Sequence, residues 1–146
     1  MRIAFRTEFN CPATQLWNYM VDPVNLPHWV PECREFRLTH ETPDKVGSTY
    51  EVDTRRGKKT VTCYGTTLEW EPNRRLKESV TGGGIKQGTA MVSTYDITDH
   101  GERCTMDYVM DWDGQGLLTA IMYHTMGKMY CKSMIKRLKR HAETSA

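Results

Sequence analysis

Apolar residues recur at every second position through the middle of the chain and at every third or fourth position near its end. RIAFRTEF alternates Ile3, Phe5 and, after a polar pair, Phe9 with polar residues, which predicts a strand. CPATQLWNYM changes period: Pro12 suits a first helical turn, and Leu16, Trp17 and Met20 fall at helical spacing. DPVNLPHWVP predicts a second, short helix or a turn, because Pro23, Pro27 and Pro31 limit its length. From Cys33 to about Gly114 the pattern is β. REFRLTH, STYEVDT, TVTCYGTTLEWE, LKESVT, TAMVSTYDIT and RCTMDYVMDWDG are divided by ETPDKVG, RRGKK, EPNRR, GGGIKQG and DHGE.

Alternation also assigns faces. Tyr64, Thr66, Leu68 and Trp70 are expected on one face of the long strand. Leu76, Glu78 and Val80 share a face of the next, and Met91, Ser93, Tyr95 and Ile97 a face of the one after. The last strand is the clearest, with Cys104, Met106, Tyr108, Met110 and Trp112 on one side and polar residues on most of the other. Such a sheet has one wet and one covered face. After DGQG the period becomes helical to about Glu143, roughly 27 residues or 40 Å. Two stripes run along this helix: Leu117, Ala120, Tyr123, Gly127, Cys131, Met134, Ile135 and Leu138, and a shorter one of Leu118, Met122, Met126 and Met129. Either stripe is a candidate to face the sheet. The second needs cover from the short helices or from another copy of the chain, so a homodimer is one expected partnership.

The order is therefore one strand, two short helices, six strands and one long helix. Short connections imply an antiparallel sheet, and the long helix is the element available to cover it. A length of 146 residues suits one domain over 1–146. Charged residues at 26% and a net charge of +2 do not point to nucleic acid. The basic end KRLKRH lacks interleaved aromatics and reads as a helix C-terminus. Five cysteines, odd in number and without a CxxC pair, indicate neither a zinc knuckle nor a redox motif. They fit reduced thiols, and with MRIAFRTEFN too charged for a signal peptide, a cytoplasmic protein is expected. No run approaches the roughly 20 apolar residues of a membrane span.

CPATQLWNYMVDPVNLPHWVPECREF, LEWEPNRRLK, TYDITDHGERCTMDY and MIKRLKRHAE, in this element order, resemble the SRPBCC or START-like helix-grip superfamily, and most of all its bacterial polyketide cyclase/dehydrase-type branch. The likeness spans nearly the whole chain. It implies an α+β fold in which a curved antiparallel sheet of about seven strands wraps on the C-terminal helix, with a cavity for a small apolar molecule between them. It also implies that the loops after the third and fifth strands, carrying Arg55, Arg56, Gly57 and Gly82, Gly83, Gly84, Lys86, border the cavity mouth.

Candidate chemistry follows from the covered face. Tyr64, Thr66, Met91, Ser93, Met106, Met110 and Trp112, with Tyr123 and Gly127 from the helix, are expected to line either a filled core or a ligand cavity. Tyrosines, serine and threonine need partners if buried, and methionines make adaptable apolar walls. Glu78 between Leu76 and Val80 is either a buried carboxyl with a raised pKa or a solvated edge residue. Glu78, Tyr95, Tyr108 and His124 are the candidate acid–base groups. GGGIKQG leads into a strand and lacks the lysine-then-Ser/Thr of a phosphate loop, so no nucleotide cofactor is expected. The histidines lack HxH or HxxxH spacing, so no metal is expected either. Three functions stand open: binding of a hydrophobic molecule, polyketide aromatase/cyclase-like catalysis with one or two cavity groups, and a protein-interaction module on the same fold.

Overall fold

In the chain's structure, a computed structural model, the described residues are 2–83, 85, 87–112 and 117–145; the side chains of 117–120, 122 and 123 lie outside the description. Strand β1 (Arg2–Phe9) leads into α1 (Ala13–Val21). Pro12 caps α1, its carbonyl accepting from the Gln15 and Leu16 N–H groups at 3.1 and 3.2 Å. Asp22 ends α1 and opens a 3₁₀ turn (Pro23–Asn25) by accepting from the Val24 N–H at 3.1 Å. The prolines hold α2 (Leu26–Trp29) to four residues. Then come β2 (Cys33–His40), β3 (Thr49–Arg56), β4 (Lys59–Glu71), β5 (Arg75–Gly82), β6 (Met91–Asp99), β7 (Cys104–Trp112) and α3 (Leu117–Thr144).

All seven strands form one antiparallel sheet in the order β1-β7-β6-β5-β4-β3-β2. The first two strands of the chain are thus its two edges, and α1 and α2 carry the chain from one to the other. On the convex face, ion pairs replace apolar contacts. Arg37 bridges Glu51 and Asp53, Arg75 joins Glu69 and Asp96, and Arg6 meets Asp107. Most of these groups are partly solvated, so each pair contributes little.

Phe9, Leu16, Met20, Met106, Ile135 and Leu138 form the most deeply buried part of the core. The sheet contacts of α3 are mainly with β1, and it packs beside α1 and α2. Its C-terminal end is tied down by Gln15 Nε2 donating to the Ala142 carbonyl at 2.8 Å, the Asn10 N–H to Glu143 Oε2 at 2.7 Å and Lys139 Nζ to the Glu8 carbonyl at 2.5 Å. The helix stripe that faces the core is the first one: Cys131, Met134, Ile135 and Leu138 are buried. Of the second stripe, Met126 and Met129 are 61% and 69% exposed.

One expected face is wrong. Thr67 pairs with Glu78, but the next pair is Glu69 with Lys77, so Leu68 is an extra residue in β4. A bulge of this kind reverses the alternation beyond it. Trp70 therefore points inward, against Trp17, while on the near side Cys63, Gly65 and Thr67 face inward. Tyr64 and Thr66 lie on the convex face, Tyr64 with 53% of its surface exposed.

Candidate functional site

The concave face is built row by row from the strand register. Across one row, Tyr50, Gly65, Val80, Met91 and Trp112 are neighbours; across the next, Thr67, Glu78, Ser93 and Met110. Gly65 sits where the hydroxyl end of the Tyr50 ring lies over β4: a Cβ there would collide with Tyr50 Cζ and stand 2.5 Å from its hydroxyl oxygen. That placement carries the Tyr50 hydroxyl to Glu78, to whose Oε2 it donates at 2.6 Å. Phe36 stacks on the other side of Tyr50, with ring centroids 5.1 Å apart. Nearby, the rings of Tyr95 and Tyr108 lie 5.1 Å apart, Trp29 meets Tyr95 edge-on at 6.4 Å, and Phe5 tilts against Tyr108 at 5.5 Å. Tyr108 also lies 3.4 Å from Ser93 Oγ and receives the Cys131 thiol at 3.6 Å.

Burial pushes the Glu78 carboxyl above its ordinary pKa, and the Tyr50 hydrogen bond pulls it partly back. Tyr50, Tyr95 and Tyr108 are all held well above 10, first by burial and then by negative or ionisable neighbours, Glu78 among them. These phenols stay protonated near neutral pH. They donate and accept hydrogen bonds, and the group able to exchange a proton there is Glu78.

Several side chains are desolvated while keeping accessible surface, Glu78 and Tyr130 among them. Glu78 is only partly covered, yet burial dominates its pKa. Tyr130 of α3 is 43% exposed, yet burial drives its phenol up to about 12. The sheet contacts of α3 are mainly with β1, which leaves the concave face over β3 to β5 as the hollow that Glu78 faces. Tyr130 of α3 lies within electrostatic reach of Arg56, Cys33 and Cys63. The spacing to Gly127 and Met134 gave a signal for Tyr130, whereas nothing local in STYEVDT marks Tyr50 as the partner of Glu78.

The other candidate residues distribute as follows. Met91, Ser93, Met106, Met110 and Trp112 lie on the concave face with Tyr95 and Tyr108. Gly127 lets α3 approach: a Cβ there would stand 3.2 Å from Ile3 Cδ1 and 3.8 Å from Met110 Cε. His124 is exposed on α3 and is not brought beside Glu78. Tyr123, whose side chain lies outside the described residues, is not placed. Of the loop residues expected at the mouth, Arg56 and Gly57 are exposed, and Arg55 turns back so that its Nε donates to the Gly57 carbonyl at 2.9 Å. Gly82 and Gly83, with φ of +78° and +58°, seat the next loop against β4: Cβ atoms there would crowd the Thr62 carbonyl and the Cys63 sulfur. Gly84 and Lys86 lie outside the described residues. Among the described residues no group of three or more His, Cys, Asp or Glu side chains is arranged to hold a metal ion. No described helix is long and apolar enough to cross a membrane.

A curved antiparallel sheet closed by a long C-terminal helix, with an aromatic-lined hollow holding one carboxyl, defines a helix-grip, START-like protein. Within that class the chain belongs to the polyketide cyclase/dehydrase and lipid transport family, whose model matches residues 2–143. Similar solved structures include a START superfamily protein from Mycobacterium smegmatis, at a TM-score of 0.83 and 13% identity over 99% of both chains. A conserved protein from Geobacillus kaustophilus has a TM-score of 0.80 and 18% identity, covering 99% of this chain and 97% of that one. An aromatase/cyclase from a Streptomyces species has 0.78 and 11%, covering 98% and 93%. At these identities the likeness shows the fold. No curated protein matches the chain by sequence.

Proposed function

We propose that the chain, as one helix-grip unit over residues 1–146, binds and carries a small, largely apolar molecule in the hollow between the concave sheet and α3. The observation that carries this reading is the set of lining groups, Glu78 and Tyr130 foremost, that are desolvated without being packed. A filled core leaves no such surface, and an interaction module has no use for it. A mostly apolar pocket with a few placed polar groups is what small-molecule sites share. Family membership supports the same reading, since lipid transport stands beside cyclase and dehydrase activity in the family's description. Native mass spectrometry of the purified protein tests it. The expected result is a retained apolar molecule or stoichiometric uptake of added ones. A protein that neither retains nor takes up any apolar molecule refutes carriage.

The 2.6 Å contact between Tyr50 and Glu78 favours a second reading, a cyclase-like enzyme. There the hollow orients a flexible chain and Glu78 moves a proton, with the buried phenols of Tyr95 and Tyr108 as hydrogen-bond donors. Glu78→Gln separates the two. It abolishes turnover while sparing binding if Glu78 is catalytic, and only tunes affinity if the protein is a carrier.

A further inference from the structure

We propose that the ligand's innermost group is a protonated primary amine, held by Glu78 inside the ring of tyrosines; this rests on the carrier reading. On the concave face from β4 to β7, Glu78 is, among the described residues, the sole charged side chain in its own row and in the rows on either side, while Asp99 lies exposed at the far end of β6 beside Cys104. Among the described residues no cation answers it. The groups that face it are Tyr50 from β3, Thr67 from β4, Ser93 and Tyr95 from β6 and Tyr108 from β7, all uncharged near neutrality. Cys131 of α3, buried against Tyr108, also stays a neutral thiol. Arg56, at the end of β3, acts on Cys63 and Tyr130 rather than on Glu78.

The carboxyl is half used. Tyr50 donates to Oε2, and among the described residues no group donates to Oε1. A ligand supplies the missing partner, and the surroundings rank the heads it can carry. A carboxylate or phosphate meets a like charge and no cation. A hydroxyl gains one ordinary hydrogen bond. An ammonium gains a charge-assisted hydrogen bond and the attraction of aromatic faces for a cation, and it balances the charge of the carboxylate it stabilises. Because burial favours the protonated acid in the empty hollow, seating an ammonium expels one proton. Amine affinity therefore rises with pH, by up to about tenfold per pH unit below the pKa of Glu78 in the empty protein, and then levels.

Matched twelve-carbon amphiphiles test this. Dodecylamine, dodecanol and dodecanoate, each at concentrations below micelle formation, compete with the neutral dye Nile red for the protein between pH 4 and 8. The expected result is dodecylamine binding about tenfold or more tighter than dodecanol at pH 7.5, with affinity rising with pH, and dodecanoate weakest. In Glu78→Gln the amine preference falls to within about twofold, a change far below the charge-assisted gain, while dodecanol binding stays. Tyr50→Phe keeps the carboxyl and keeps the preference, and the pH rise in the unsubstituted protein stands as a readout if Glu78→Gln fails to fold. Dodecanol or dodecanoate binding as tightly as the amine, or a preference that survives Glu78→Gln, overturns the amine head and leaves carriage standing. Failure of all three to bind overturns carriage and the amine head together.

Discussion

Gly65→Ala is the smallest change that reaches the candidate site. Gly65 has no left-handed backbone, so its conformation is open to any residue; what the position requires is space. The new methyl group would occupy the volume of the Tyr50 ring. If the ring is forced to stay, overpacking costs about 1–3 kcal/mol. If it swings away, the phenol–carboxyl hydrogen bond goes, at about 1.5–3 kcal/mol. Against either stands about 0.5–1 kcal/mol gained by replacing a strand glycine with alanine. The net loss is about 1–2 kcal/mol, or roughly 2–8 °C in Tm for a chain of this size.

Thermal melts of a double-mutant cycle with Tyr50→Ala isolate the cause. With the ring removed, Gly65→Ala should be neutral or stabilising by about 0.5–1 kcal/mol. The swing also has a chemical signature. Tyr50 opposes the upward push of burial on Glu78, so losing its hydrogen bond should move the Glu78 titration to higher pH. An equal loss from Gly65→Ala in both backgrounds would show that the glycine serves something other than the Tyr50 ring.

Glu78 should also leave a mark on stability. Its folded pKa is raised, so its contribution is full below the unfolded pKa of about 4.3 and is lost as pH rises through the folded value; urea melts of Glu78→Gln should lack that decline. Tyr64→Ser should leave ligand affinity unchanged, because Tyr64 lies outside the hollow, and a weakening measured by dye competition would restore it to the lining. If a second copy covers the exposed Met126 and Met129, sedimentation velocity will show a dimer that Met126→Lys dissociates; a monomer at high concentration removes that proposal.

The parts legible in the sequence were those where period alone decides. In β7, Cys104 to Trp112 alternate without interruption, and the structure keeps that parity along the whole strand. That Glu78 shares a face with Leu76 and Val80 was readable; alternation alone allows either a buried carboxyl or a solvated edge, and the pairing of β5 between β4 and β6 decides it. The β4 face was not readable, since Thr67 and Leu68 are both good strand residues and nothing local announces that one of them is extra. The error carried Tyr64 and Thr66 to the wrong side and hid Gly65 and Cys63. The partner of Glu78 was out of reach for another reason. Tyr50 lies 28 positions away, and only the joint register of β3, β4 and β5 brings the two together.

Three local rules are broken at one point of the sheet. A glycine interrupts the interior of a central strand, which weakens it by about 0.5–1 kcal/mol. A carboxyl faces the covered side with no cation among the described residues beside it. The hydroxyl end of a tyrosine lies over its neighbour's backbone. Any one alone is a defect in a packed core, and leucine, valine and a smaller side chain would remove all three. Together they make a single device: the absent Cβ admits the ring, the ring delivers a hydroxyl, and the hydroxyl fixes one carboxyl oxygen while the other faces the hollow. Departures from local consistency concentrate where a protein trades stability for function. The adjoining rows of Gly65 and Glu78 are therefore the part of this sheet where the proposed ligand chemistry would leave its mark.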